Sequence, residues 1–288
     1  MAQKPSVAVI GASGVVGGNM ARFLVTKAHL FSKLALYDIN PGAKYGDPGN
    51  PTVTTDDKSV ASGCDVAFVC VPTEELGDGS ADTSIVEEVC LWADADIFVI
   101  RSTVPPGTCE RVMDATGRDI VFQPEYLGEN PSGNAYNDIG ARNWVTLGGP
   151  RRCTMKAAAF YTRLYTADCR IMQTDFRTAE MVKYMTNTFL AMKTVYCAEM
   201  ARVCEAHGVD YMAARELWLM DERIGRSHTS VYDSNPGFSG KCFPKDMAAI
   251  IRSSEFRGFE AKLLKAVDAR NDELRAQCGL KTEADQLA

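Results

Sequence analysis

The sequence predicts an α/β protein in which an N-terminal doubly wound sheet is followed by a long interdomain helix and a small all-α domain. Three observations predict it. Short apolar runs alternate with helical spacings over the first 170 or so residues, a glycine-rich turn follows the first run, and residues 174–207 contain neither glycine nor proline. Alternation of strand and helix implies parallel strands covered on both faces.

The first run is Ser6-Val7-Ala8-Val9-Ile10, and the segment from Gly14 to Lys27 then carries Val16, Met20, Phe23 and Leu24 at helical spacing. Further strands are expected at Leu34–Tyr37, Val66–Val71, Ile97–Ile100, Val121–Phe122 and Trp144–Leu147. Helices are expected at Ser84–Trp92, Gly107–Ala115 and Met155–Leu164. The uninterrupted stretch from Thr174 to His207 would be roughly 50 Å long at 1.5 Å per residue, too long for a small domain to enclose. It is expected to link two domains, 1–173 and 174–288, and to offer a surface to a partner subunit, with Gly208 as its stop. Helices at Met212–Met220, Asp246–Ser254 and Ala261–Gln277 complete the second domain.

At 288 residues the chain is long enough for two domains with cores of their own. No apolar run approaches the roughly 20 residues that cross a bilayer, and the first residues lack the apolar stretch of a signal peptide, so a cytoplasmic location is expected. The ten cysteines are scattered without a C-x-x-C pair, which argues against a zinc site or a disulfide framework. A formal charge of −6 without a Lys/Arg run excludes a nucleic-acid backbone as the expected partner.

Gly11-Ala12-Ser13-Gly14-Val15-Val16-Gly17 lies between a strand and a helix, where backbone amides at the positive end of the helix receive a diphosphate. The spacing is G-x-x-G-x-x-G, one residue from the commoner Rossmann-type pattern. Asp38 ends the second strand about 20 residues on, where a carboxylate accepts hydrogen bonds from a ribose diol and repels a 2′-phosphate, so NAD is favoured over NADP.

Five further motifs follow in order. They are Ser102-Thr103-Val104-Pro105-Pro106-Gly107-Thr108, Pro124-Glu125-Tyr126-Leu127-Gly128-Glu129, Glu180-x-x-Lys183-x-x-x-Asn187, Asp221-Glu222-Arg223-Ile224-Gly225, and Gly237-Phe238-Ser239-Gly240-Lys241-Cys242-Phe243-Pro244-Lys245-Asp246. Together they resemble the UDP-glucose 6-dehydrogenase (UDP-glucose/GDP-mannose dehydrogenase) family over essentially the whole chain, most distinctively at Cys-x-Pro-Lys-Asp. The resemblance implies NAD-dependent oxidation of a primary alcohol to a carboxylate by two hydride removals, with the intermediate aldehyde held on Cys242 as a thiohemiacetal and then a thioester.

Lys183 and Asn187, four apart on a helix, share a face, and the resemblance gives them the oxyanion on the reacting carbon. It makes Asp246 a partner in removal of the alcohol proton and Glu125 a base in thioester hydrolysis. Thr103 would hold water or the nicotinamide side. Val71, Pro72, Thr73 and Lys245 join the glycine loop and Asp38 as cofactor contacts. Substrate contacts are expected from Glu125, Tyr126, Leu127, Glu129, Phe238 and Gly240, and from Arg223, which in dimers of the family reaches the neighbouring subunit's site. No metal is expected.

The sequence departs from the family in three places. Gly128 stands where an arginine is usual, Ser239 replaces a glycine, and three extra residues lie between Arg223 and Cys242. The family's C-terminal domain, which holds the uridine diphosphate, has no counterpart in these 288 residues, so a short form lacking it is expected. Two other functions stay open: a two-electron hydroxyacid dehydrogenase, and an NAD-binding subunit that needs a separate nucleotide-binding chain.

Overall fold

The computed structural model describes residues 3–42, 55–127 and 139–280. Contacts between Cα atoms divide the chain into two compact units, Met1–Glu74 with Ala81–Lys183 and Glu75–Ser80 with Tyr184–Ala288. The division falls inside the long helix, between residues 183 and 184.

The first unit is built on a seven-stranded sheet, ordered β2-β1-β3-β4-β5-β6-β7 among the described residues. Its strands are β1 (Ser6–Ile10), β2 (Lys33–Tyr37), β3 (Val66–Val69), β4 (Phe98–Ile100), β5 (Ile120–Phe122), β6 (Trp144–Gly148) and β7 (Arg170–Thr174). The helices of this unit are α1 (Val15–Thr26), α2 (Ser84–Trp92), α3 (Thr108–Thr116) and α4 (Arg151–Leu164). Because side chains alternate along a strand, β1 sends Val7 and Val9 to one core and Ala8 and Ile10 to the other. Met20 and Leu24 of α1 and Phe160, Tyr161 and Leu164 of α4 cover the first face. Val86 and Val89 of α2 and Cys109 and Val112 of α3 cover the second. Burial on both faces explains why the strands read as continuous apolar runs rather than alternating ones.

The first five strands are parallel, as expected. The last two, whose order the sequence leaves open, run the other way: β6 is antiparallel to β5, and β7 pairs in parallel with β6 from Trp144↔Arg170 to Gly148↔Thr174. Strand β7 carries no apolar signature, since Arg170, Met172 and Gln173 are exposed and Ile171 and Thr174 only half-buried. Its place at the sheet edge is set by the ladder to β6, with Ile171 packing on the first core.

Helix α5 (Phe176–Ala206) has 31 residues, about 46 Å of helix. It ends as the sequence indicates: Gly208 takes φ 68°, and Val209 donates its N–H to the carbonyl of Cys204 at 2.8 Å. The second unit adds α6 (Tyr211–Trp218), α7 (Phe243–Phe256) and α8 (Lys262–Gln277). Its core gathers Ala191, Val195 and Ala198 of α5, Phe238, Met247 of α7, and Val267 and Leu274 of α8. Among the described residues, no helix is long and apolar enough to cross a membrane.

Candidate active site

In the first unit, sheet order reverses at β1, so the chain leaves β1 and β3 in opposite directions and opens a crevice at their carboxyl ends. Gly11 sits there with φ 84°, and a Cβ on it would lie 2.5 Å from the carbonyl oxygen of Cys70. A Cβ on Gly17 would lie 2.0 Å from the carbonyl oxygen of Gly11, so the first turn of α1 packs directly on the loop. Gly14 differs. Its Cβ position is open, with only the Gly11 carbonyl oxygen at 3.5 Å, and it precedes α1 with extended backbone. The outer two glycines therefore serve the fold, while the middle one leaves room for a ligand at the helix N-terminus, as a dinucleotide diphosphate requires.

Asp38 accepts hydrogen bonds from the Ser13 N–H at 2.8 Å and the Asn40 N–H at 2.9 Å. It thus ties the end of β2 to the glycine loop, and a carboxylate with two oxygens retains acceptor capacity for a ribose. Val15 and Val16 begin α1, Val15 being exposed and Val16 half-buried. Past β3, Val71 accepts from Ser102 Oγ at 2.6 Å, and Thr73 donates to the carbonyl of Thr103 at 2.8 Å. These bonds brace the loops after β3 and β4 against each other, with Pro72 exposed between them.

Past β5, Glu125 is buried in an ion cluster that residue patterning did not reveal. Its carboxylate pairs with Arg101 and with Arg142, the latter at 2.8 Å, and the three side chains are 4%, 1% and 8% exposed respectively. Glu125 also accepts the Tyr126 N–H at 2.6 Å. Tyr126 presents its ring to two cations: Lys183 Nζ stands 5.4 Å from the centroid and the Arg142 guanidinium carbon 5.9 Å. Burial pushes the Tyr126 phenol up to about 12, with Arg142 opposing. Leu127 packs against the core formed by β1, β3 and β4. Glu129 lies outside the described residues.

Glu180 is a second residue whose role the motif did not disclose. Fully buried on α5, it accepts the N–H of Gly107 at 2.6 Å and of Cys109 at 2.8 Å, and so caps α3 where the Ser102–Thr108 motif enters the helix. Burial raises its carboxyl above the usual range, against the lowering effect of the two N–H donors. A charged residue one helical turn before Lys183 was the signal available; the identity of its partners, 71 and 73 residues away, was not.

In the second unit, Cys242 is half-buried and forms the N-cap of α7, with Pro244 in the first turn and the Asp246 N–H bonded to the Cys242 carbonyl at 3.0 Å. The positive end of a helix favours a thiolate at such a place. The preceding loop is held on α8: the Phe238 N–H donates to Asn271 Oδ1 at 2.7 Å, and Asn235 Oδ1 accepts from Arg275 at 2.8 Å. Gly240, at φ 87°, gives the loop its last bend before Lys241.

The carboxylate of Asp246 is 1% exposed as a residue and engaged on both sides. It accepts the Asn187 amide at 2.6 Å through one oxygen and the Lys245 ammonium at 2.6 Å through the other. The structure therefore gathers Asn187, Lys245 and Asp246 at the head of α7, beside Cys242 in the chain. Lys183 and Asn187 belong to α5, one turn apart. Arg223 is 89% exposed and held by both oxygens of Asp221.

Comparison with known proteins follows the same division. Residues 43–167 match the NAD binding domain of the UDP-glucose/GDP-mannose dehydrogenase family, and residues 177–273 match the family's central domain. The chain is 33% identical over 237 residues to the putative UDP-glucose 6-dehydrogenase YtcA of Bacillus subtilis, covering 78% of this chain and 54% of that protein. It is 36% identical over 227 residues to the UDP-glucose 6-dehydrogenase of Pseudomonas aeruginosa, covering 72% and 48%. The chain thus spans about half the length of these curated relatives. Among solved structures, a UDP-glucose dehydrogenase from the archaeon Pyrobaculum islandicum superposes with a TM-score of 0.78 at 29% identity, covering 94% of this chain and 69% of that one. With both domain models matched in order, and with a glycine cradle that fits a dinucleotide, the chain belongs to the UDP-glucose/GDP-mannose dehydrogenase family and carries its NAD-binding domain.

Proposed function

We propose that this chain is the NAD-binding and central part of a nucleotide-sugar dehydrogenase that converts a primary alcohol to a carboxylate, with UDP-glucose to UDP-glucuronate, or the same oxidation of a related nucleotide sugar, as the reaction. One observation carries the reading. The buried Asn187–Asp246–Lys245 network stands at the head of the helix that Cys242 caps, and a cysteine merely filling a core has no use for it.

The chemistry assigned to these residues is as follows. Bound NAD would supply an acceptor for one hydride, and a second NAD, taken up after release of the first NADH, an acceptor for the other. Asp246 receives the alcohol proton through a water or Lys183 as the first hydride leaves. The Cys242 thiolate then adds to the aldehyde carbon, and the resulting thiohemiacetal loses the second hydride to become a thioester. Water attacks that thioester, the carbon–sulfur bond breaks, and carboxylate and thiolate are released. Lys183 and Asn187 donate to the oxygen that carries negative charge in these steps. Thr103 holds water or the nicotinamide side.

The ion pairs of Glu125 with Arg101 and Arg142 favour an anchoring role for that carboxylate over the role of base, because uptake of a proton would forfeit both pairs. Arg223, exposed and oriented by Asp221, suits a contact with a neighbouring subunit. Exposed Met185, Phe189 and Tyr196 along α5 support a homodimer. A cytoplasmic location suits a chain whose described cysteines form no disulfide.

The test is stoichiometric. Purified chain with UDP-glucose and NAD should yield two NADH per acid, and mass spectrometry after a quench should find an acyl adduct on Cys242. Cys242→Ser should release at most one NADH. One NADH per product from a fully active Cys242→Ser would instead establish the two-electron reaction, and turnover only on adding a nucleotide-binding chain would establish the subunit reading.

A further inference from the structure

Lys183 is 7% exposed as a residue, and an ammonium so buried needs a defined electrostatic environment. Part of that environment is the face of Tyr126, 5.4 Å from ring centroid to Nζ. The ring itself has little freedom. Trp144 packs on it with centroids 4.9 Å apart and planes at 60°, and Arg142 approaches it at 5.9 Å. Its backbone N–H is bonded to Glu125, whose carboxylate is in turn gripped by Arg101 and Arg142. The Tyr126 hydroxyl is buried without a hydrogen-bond partner. A tyrosine held in this way contributes through its ring, since an unsatisfied hydroxyl adds only a desolvation cost.

We propose that Tyr126 is a positioning residue for Lys183: the Arg101–Glu125–Arg142 cluster fixes the backbone of Tyr126, and the ring face then keeps the Lys183 ammonium cationic and aimed. The inference rests on the reading of Lys183 as an oxyanion donor, a role that its cationic form fills. The negative face of an aromatic ring stabilises an ammonium and has no comparable attraction for the neutral amine. It follows that the Glu125 cluster serves the reaction at one remove, by holding the platform.

The experiment reads Lys183 directly, without substrate. Intact protein is treated with an amine-acylating reagent between pH 7 and 10, and the Lys183 peptide is quantified by mass spectrometry. Tyr126→Phe keeps the ring and should acylate within about twofold of the parent. Tyr126→Leu removes it and should acylate faster below the pH of full deprotonation, by roughly 2- to 30-fold, the span of a cation–π contact. Phenylalanines of increasing fluorination introduced at position 126 keep the shape and drain the ring face, so the rate should climb with each fluorine. That series holds even where Tyr126→Leu fails to fold.

A flat response across the fluorinated series would overturn the proposal. So would Tyr126→Phe behaving like Tyr126→Leu, which would assign the hydroxyl rather than the ring. Failure of the oxyanion reading is a separate outcome, seen as full turnover in Lys183→Ala whatever the acylation rates show.

Discussion

Alanine at Gly14 and at Gly17 should separate cofactor binding from folding. At Gly17 a new Cβ would sit 2.0 Å from the Gly11 carbonyl oxygen and 2.7 Å from its carbon, against backbone that has no rotamer to yield. Contacts this short force the first turn of α1 away from β1, and overpacking of this kind costs about 1–3 kcal/mol or more. Gly11→Ala adds to a 2.5 Å contact with Cys70 O the strain of φ 84°, worth roughly 1–2 kcal/mol for a residue with a Cβ. Gly14→Ala meets nothing closer than 3.5 Å, so its stability cost should be no more than about 1 kcal/mol, the usual penalty for alanine as an N-cap. Its methyl group would nevertheless occupy the space through which a diphosphate approaches the helix N-terminus. Urea denaturation and calorimetric NAD titration of the three variants give the assay. Gly17→Ala and Gly11→Ala should lower the unfolding free energy, whereas Gly14→Ala should unfold near the parent and bind NAD at least about tenfold more weakly. Parent-like stability in Gly17→Ala, or parent-like NAD affinity in a well-folded Gly14→Ala, would refute the assignment of these roles.

Glu180→Ala would orphan the buried N–H groups of Gly107 and Cys109 and should cost about 2–4 kcal/mol in chemical denaturation. Because burial raises the folded-state affinity of Glu180 for its proton, the native chain binds more protons than the unfolded one between the two pKa values. Stability should therefore fall as pH rises through that window, and Glu180→Gln should lose this slope. His228 has φ 60° and an imidazole lowered below 6.5 by burial and then by Lys193. Here the unfolded chain takes up the proton more readily, so stability should drop as pH falls from 6.5 through the folded value, a limb absent from His228→Asn. His228→Val, β-branched at positive φ, should unfold about 1–2 kcal/mol more easily. Asp246→Ala removes the buried carboxylate that accepts from Lys245 and Asn187 and should destabilise by about 3–5 kcal/mol, read as a shifted urea midpoint with Cys242 alkylating at an altered rate.

Much of this molecule was readable because its signals are local. Strands β1, β3 and β4 announce themselves as apolar runs since both their faces are covered, and α5 does so by lacking breakers over more than thirty residues. Gly11, Gly17 and Asp38 were legible for the same reason: a tight turn, a helix start and a strand end sit at fixed offsets along the chain. Strand β7 was missed because an edge strand with exposed Arg170, Met172 and Gln173 and the single core contact of Ile171 carries too little burial pattern to show. The reversal of β6 against β5 was equally invisible, since an apolar run has no direction.

The amino-acid sequence by itself determined the fold class, the glycine loop and the carboxylate that ends β2, the Lys183–Asn187 pair and the Cys242 motif, all set by spacing over short stretches of chain. Only tertiary structure decided what the buried charges do. Arg101, Glu125 and Arg142 meet from three separate segments, Glu180 reaches a helix start more than seventy residues back, and Asp246 is claimed by Asn187 from 59 residues away. The physical reason is that a buried charge must find its counterpart wherever the chain returns in space, and a linear pattern records which residues need partners without recording where those partners are.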